Sequence, residues 1–278
     1  MYIIKASGQK EDFDPLKLCT SIKRSGAPEY LADSICEQLN KEVEPNMSTR
    51  NVWRMALSHL SSIDISISAR FSLKRGLAML GPTGFVFEQY VEALMQSYGF
   101  ETKRGIMMRG ASGIEHEIDV WIKAPGVNAI IEAKFRNDHG TKTHVDVVMY
   151  AQSRLLDIKE YAEKHSSEED IPKEVWLITN TKFTDSTIKY AQFKNITLIG
   201  WDYPKNGSLE ELICAKKMYP ISVLPSVSHL ELKELSAQHI ILLTDILPYS
   251  SEDITRMTDI PPEVARKIVK EAKELFEK

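Results

Sequence analysis

The sequence predicts an α/β protein whose core, a mixed central sheet flanked by helices, lies between two helical modules. Three observations lead there. Between Phe85 and Asp202 the chain passes from a helical run through a pair of alternating runs, then through "HVDVVMYAQSRLLDIKEYAEKH", "EVWLITN", "TDSTIKYAQFK" and "ITLIGWD". Helices and strands intermixed in this way mark an α/β unit. Helical patterns stand before this region and return after about Ser226. The alternating stretch "GIEHEIDVWIKAPGVNAIIEAKF", Gly113 to Phe135, reads as two strands about a Pro125-Gly126 turn, with acids inside both strands. Acids are poor strand formers, and burying one is costly unless it is paired or holds a metal.

In chain order, "YIIKASGQKEDFD" supplies two brief strands about Ser7-Gly8. Asp14 followed by Pro15 is a strong helix start, with Leu16, Cys19, Ile22 and Lys23 at helical spacing and Gly26 ending the run. Three further amphipathic helices are read from "EYLADSICEQLNKEV", "STRNVWRMALSHLSS" and "ISARFSLKRGLAML". "GPTG", Gly81 to Gly84, is read as a linker, so the expected domains are residues 1–82, 83–215 and 216–278. "FVFEQYVEALMQSYG" opens the second domain, and "SSEDITRMTDIPPEVARKIVKEAKELFEK" closes the third.

Composition narrows class and compartment. A hydrophobic fraction of 43% and a charged fraction of 27% in 278 residues suit a water-soluble globular chain. The apolar run "HIILLTDIL" is broken by Asp245 and is far short of the roughly 20 residues of a membrane span. The N-terminus lacks an export signal, and Cys19, Cys36 and Cys214 have no metal-ligand spacing, so a cytoplasmic protein is expected. A net charge of -4 and a pI near 6.0 argue against coating nucleic acid by bulk charge, though not against a local basic cleft.

The hairpin acids carry the chemistry. Residues two apart in a strand face one side, so Glu117 and Asp119 point together, as do Glu132 and Lys134. If the strands pair antiparallel, Asp119 meets Glu132 on one face. Carboxylates plus substrate phosphate are what Mg²⁺ (or Mn²⁺) binds, and Glu88 on the preceding helix offers one more oxygen. The lysine would orient water or neutralise charge in phosphodiester hydrolysis. Tyr150 and Arg154 share a helix face four residues apart. Arg154 is read as a phosphate clamp, as a holder of an active-site carboxylate, or equally as a surface salt bridge. His116 is assigned a structural role on the face opposite Asp119.

A helix bearing Glu88, then "IDV", then "IIEAKF" resembles the PD-(D/E)xK nuclease core of the Mrr-like restriction endonucleases, over about Phe85 to Leu212. The resemblance implies an α/β restriction-endonuclease-like fold. It makes Asp119, Glu132 and Lys134 catalytic, with Glu88 as the helix acid, and Asp119, Glu132 and Glu88 the metal ligands. It implies a Mg-dependent deoxyribonuclease acting on DNA in restriction, defence or repair, and a homodimer to cut both strands. Glu115-His116-Glu117 departs from the small residues usual before the first Asp, leaving Glu117 either in the metal shell or solvated. The segment with "IIKASGQKEDFDPLKL" and "SIKRSG" is similar to the ATP-cone, which implies ATP or dATP as effector near Lys5, Lys17 and Lys23. Ala6 stands where that family has a second basic residue. The C-terminal "DIPPE" turn resembles a helix-hairpin-helix, with Asp259 and Pro261 in place of glycines, and proline has no N–H for phosphate. The alternatives are a non-enzymatic nucleotide-responsive DNA-binding regulator, or a junction resolvase or RNA nuclease on the same core.

Overall fold

The computed structural model describes residues 1–5, 8–80, 84–138, 140–167 and 170–277. Ala6 and Ser7 of the expected first turn, and Gly81, Pro82 and Thr83 of the expected linker, lie outside the described residues. The chain divides into two compact units, residues 77–218 and a second made from residues 1–76 together with 219–278.

The discontinuous unit begins with a hairpin, β1 (Tyr2–Ile4) and β2 (Lys10–Asp12). Helices α1 (Pro15–Arg24), α2 (Glu29–Glu42), α3 (Thr49–Ile63) and α4 (Ile65–Met79) follow. Asp14 caps α1 by accepting from Leu16 N at 3.0 Å, with Pro15 in its first turn. Ser48 caps α3 through Asn51 N. The core gathers Ile22, Ala32, Ile35, Leu39, Ala56 and Leu60. Leu16, which shares the helical spacing of Cys19 and Ile22, is 76% exposed, whereas Leu18 packs against the core. A disulfide joins Cys19 of α1 to Cys36 of α2, a bond that the spacing of the three cysteines did not announce. The residues after 218 join this unit: Ser72 Oγ donates to Val223 O at 2.9 Å and Ser222 Oγ to Gly76 O at 2.7 Å.

The continuous unit holds a mixed sheet flanked by helices. Its elements are α5 (Gly84–Ser97), β3 (Glu101–Arg109), β4 (Glu115–Ala124), β5 (Val127–Lys134), β6 (Lys142–Thr143), α6 (Val145–His165), β7 (Glu174–Thr179), β8 (Lys182–Phe183), α7 (Asp185–Lys194), β9 (Thr197–Ile199) and α8 (Leu209–Ala215). Strand order is β3-β4-β5-β7-β9, antiparallel from β3 to β5 and parallel from β5 to β9. Gly126, at φ +82°, makes the turn between β4 and β5, a conformation glycine adopts without a Cβ penalty. Strand β3 is an addition to the sequence reading, in which Lys103, Arg104 and Arg109 hid its alternation.

After α8 come α9 (His229–Ala237), α10 (Leu243–Ile246), α11 (Ser251–Met257) and α12 (Pro262–Glu277), all in the discontinuous unit. Ser228 and Ser250 cap α9 and α11 in reciprocal bonds with Glu231 and Asp253. Among the described residues no helix is long and apolar enough to cross a membrane.

Candidate active site

Three elements bring the hairpin acids to one place. Helix α5 is fixed to the sheet by Phe87, Tyr90, Val91 and Leu94, all fully buried, and by the contact of Phe87 with Phe135 (ring centroids 5.5 Å apart). Glu88 follows Phe87 on this helix and lines a hollow of about 290 Å³. Asp119 enters from β4, and Glu132 and Lys134 enter from β5, with Phe135 and Asn137 completing the wall. The antiparallel register of Val120 with Ile131 carries Asp119 toward Glu132. There the ladder gives way, and Asp119 Oδ2 accepts from Ala133 N at 2.7 Å.

The end of β5 is held from behind. Thr179 Oγ1 donates to Lys134 O at 2.7 Å, and Asn180 makes a reciprocal pair with the backbone of Arg136, both bonds at 2.8 Å. Sequence reading passed over Thr179 and Asn180. A Thr-Asn pair at a strand end is a usable signal, because such side chains satisfy backbone groups where a ladder stops.

Arg154 of α6 donates from Nη1 to Glu132 Oε2 at 2.9 Å, and each side chain is only 13% exposed. Of the three readings of Arg154, the structure therefore has it holding a carboxylate of the hollow. Its guanidinium also stands 4.8 Å from the centre of the Tyr150 ring. Glu117 is exposed and outside the hollow's wall, but its charge acts on Glu88. His116 bonds through Nε2 to Asp157 Oδ2 at 2.7 Å. Asp157 also accepts from Ser112 N and Oγ, which pins the β3–β4 loop to α6. His116 first, then Ser112, hold the Asp157 carboxyl down to about 2.

Two of the hollow's carboxylates, those of Asp119 and Glu88, are poorly accommodated as anions. Burial, then the charge of Glu132, raises Asp119 to about 7 against the opposing Ala133 bond. Burial also raises Glu88, with Arg104 opposing and Glu117 and Glu132 adding to it. Such a site favours either a proton or a cation. Among the described residues no three His, Cys, Asp or Glu side chains are grouped so as to hold a metal ion by themselves. Three carboxylates line the hollow, however, those of Glu88, Asp119 and Glu132, and one or two plus water and phosphate is the donor set Mg²⁺ takes. The residues fit the ion on those terms.

The three lysines expected near a nucleotide are engaged with acids. Lys5 and Lys17 reach Glu11 at 2.8 and 3.3 Å, and Lys23 reaches Asp33 at 2.9 Å and Glu29 at 3.4 Å.

Comparison with known proteins places the chain in a family. The family described as AF1548-like, C-terminal, matches residues 219–276. An uncharacterized protein of Archaeoglobus fulgidus is 33% identical over 183 residues, covering 66% of this chain and 98% of that one. The crystal structure of AF1548, a protein of unknown function, aligns with a TM-score of 0.55 at 30% identity over 70% of this chain and 98% of its own. The MspJI restriction endonuclease in complex with a 27-mer oligonucleotide gives a TM-score of 0.30 at 10% identity, over 71% of this chain and 39% of that one. A likeness of that size has no bearing on function. On the identity and coverage of the Archaeoglobus relative, the chain belongs to the AF1548-like family.

Proposed function

We propose that the chain is a metal-dependent DNA endonuclease that hydrolyses phosphodiester bonds, on a PD-(D/E)xK core resembling the Mrr-like enzymes. One observation carries the reading. Glu88, Asp119, Glu132 and Lys134, from a helix and two strands, line a single hollow in which burial and the neighbouring charges disfavour the ionised forms of Asp119 and Glu88. Structural acids are ordinarily placed where their charge is relieved, whereas acids left uncompensated in a cleft mark a working site.

In this reading Asp119 and Glu132 hold Mg²⁺ or Mn²⁺, with Glu88 within reach as a further oxygen. The ion, when bound, supplies charge stabilisation at a phosphoryl oxygen and lowers the pKa of a bound water. The protein does the remainder. Arg154 occupies one oxygen of Glu132 and so fixes the direction in which the other points. The Ala133 N–H does the same for Asp119. Lys134 brings an ammonium to the same wall, where it orients the attacking water or offsets charge building on the phosphate. Nucleotide control is a separate part of the proposal. ATP or dATP at the N-terminal module would have to compete with Glu11 for Lys5 and Lys17, and with Asp33 for Lys23.

The test is relaxation or linearisation of supercoiled plasmid by wild type, Asp119→Ala and Lys134→Ala, in Mg²⁺, Mn²⁺ or EDTA, with and without ATP. Metal-dependent cutting lost in both variants is expected. Cutting by wild type that persists in both variants would place the chemistry elsewhere.

A further inference from the structure

Two exposed aromatic rings sit beside the groups that line the hollow. Phe85 and Tyr150 are each 59% exposed. Phe85 lies three residues before Glu88 on α5, and Tyr150 four before Arg154 on α6, so each shares a helix face with a group of the site. Each ring is also braced by a guanidinium. Arg104 stands 4.5 Å from the Phe85 ring centre and Arg154 4.8 Å from that of Tyr150. Those arginines are tied in turn to acids: Arg154 to Glu132 at 2.9 Å, and Arg104 to Glu92 at 3.1 Å. The charge of Arg104 also bears on Glu88. A ring whose position is set by an arginine that is itself anchored to an acid is a preorganised flat surface.

We infer that Phe85 and Tyr150 are base-stacking platforms, one on each helix serving the hollow, and that the DNA taken by this site is single-stranded or carries an unpaired branch. Paired bases are already stacked inside a duplex and offer no face to a protein ring; unpaired bases do, and stacking on an aromatic side chain is the common currency of single-strand binding. Charge is compatible with this: a chain of net charge -4 does not bind DNA by bulk charge, and ring stacking is a source of affinity that does not depend on it. The inference rests on the endonuclease reading for the position of the scissile phosphate, and adds to it the class of substrate.

The test uses the full chain, a fluorescein-labelled dT 20-mer and a blunt duplex of 20 base pairs. Binding is followed by anisotropy in Ca²⁺ and hydrolysis in Mg²⁺. Tighter binding of the single strand is expected, weakened roughly 5- to 150-fold by Phe85→Ala and by Tyr150→Ala. Tyr150→Phe, which keeps the ring, should bind nearly as wild type. So should Phe193→Ala, which removes a 78% exposed ring of the same unit on α7, a helix that supplies no group of the site. Equal or tighter binding of the duplex with both alanine variants silent would overturn the inference, as would no binding of either strand form. Duplex cleavage with silent aromatics leaves the endonuclease reading standing and removes this one. Ring-dependent single-strand binding without hydrolysis does the reverse.

Discussion

Asp119→Asn should make the protein more stable, and more so as the pH rises. Asp119 goes from an ordinary value of 3.8 to about 7 on folding, through burial and then the charge of Glu132. A folded-state pKa above the unfolded one means that the folded state binds the proton more tightly. Wild-type stability therefore falls as pH rises from about 4 to about 7, and this contribution is flat above that. Each tenfold fall in proton concentration across that window costs about 1.36 kcal/mol, so the two decades between pH 5 and the folded pKa amount to about 2.7 kcal/mol as an upper figure. Asparagine keeps an oxygen for the Ala133 N–H and has no charge to desolvate. Urea unfolding of both proteins at pH 5, 6, 7 and 8 in EDTA should show the gap between them widening by up to about that amount, then levelling. Saturating Mg²⁺ should narrow it at pH 8, because a ligand of the folded state stabilises wild type selectively. A gap of constant size across that range would refute the argument that this carboxylate is destabilised as an anion.

Three other expectations concern the supports of the site. Arg154→Leu strips the partner from a carboxylate only 13% exposed and should cost about 3–5 kcal/mol in urea unfolding at neutral pH; a loss below about 1 kcal/mol would give the pair the value of a surface bridge. Gly110→Ala should destabilise by about 1–3 kcal/mol, since an added Cβ would stand 1.8 Å from Asp157 Oδ2; a thermal midpoint equal to wild type would show the loop free to move aside. Asp157, held down to about 2 by His116 and Ser112, contributes stability that is present above about pH 4 and lost as pH falls toward 2. Asp157→Asn should therefore flatten the acid limb of a stability profile, and an unchanged limb would remove Asp157 from it.

Much of this was legible in the sequence where the cause is local. Asp14 before Pro15 marked a helix start because both residues act on the turn they occupy. Pro125-Gly126 between alternating runs marked the hairpin, and strand period with antiparallel pairing about that turn put Asp119 and Glu132 on one face. What stayed hidden depended on partners distant in sequence. Lys5 and Lys17 looked available until Glu11 was found between them. The charged residues of β3 masked a strand whose pairing with β4 decides its form. Arg154 left three readings open, because a helix period gives its face but not what stands across from it.

The interleaving of the two units has a consequence for the order in which the chain is made. Residues 77–218 form a continuous unit that is complete once it has left the ribosome. The other unit cannot be finished then. Gly76, where an added Cβ would stand 3.0 Å from the Val223 side chain, and Ser72, whose hydroxyl donates to Val223 O, have partners that are synthesised about 150 residues later. At ordinary elongation rates that is a wait of roughly ten seconds. Through it the last turns of α4 lack their cover, while the sheet with its acidic hollow is being made. The nascent chain is thus most exposed to misassembly at its oldest module, and a chain arrested just after residue 218 has cleared the ribosome would display a finished sheet and an unfinished helical module.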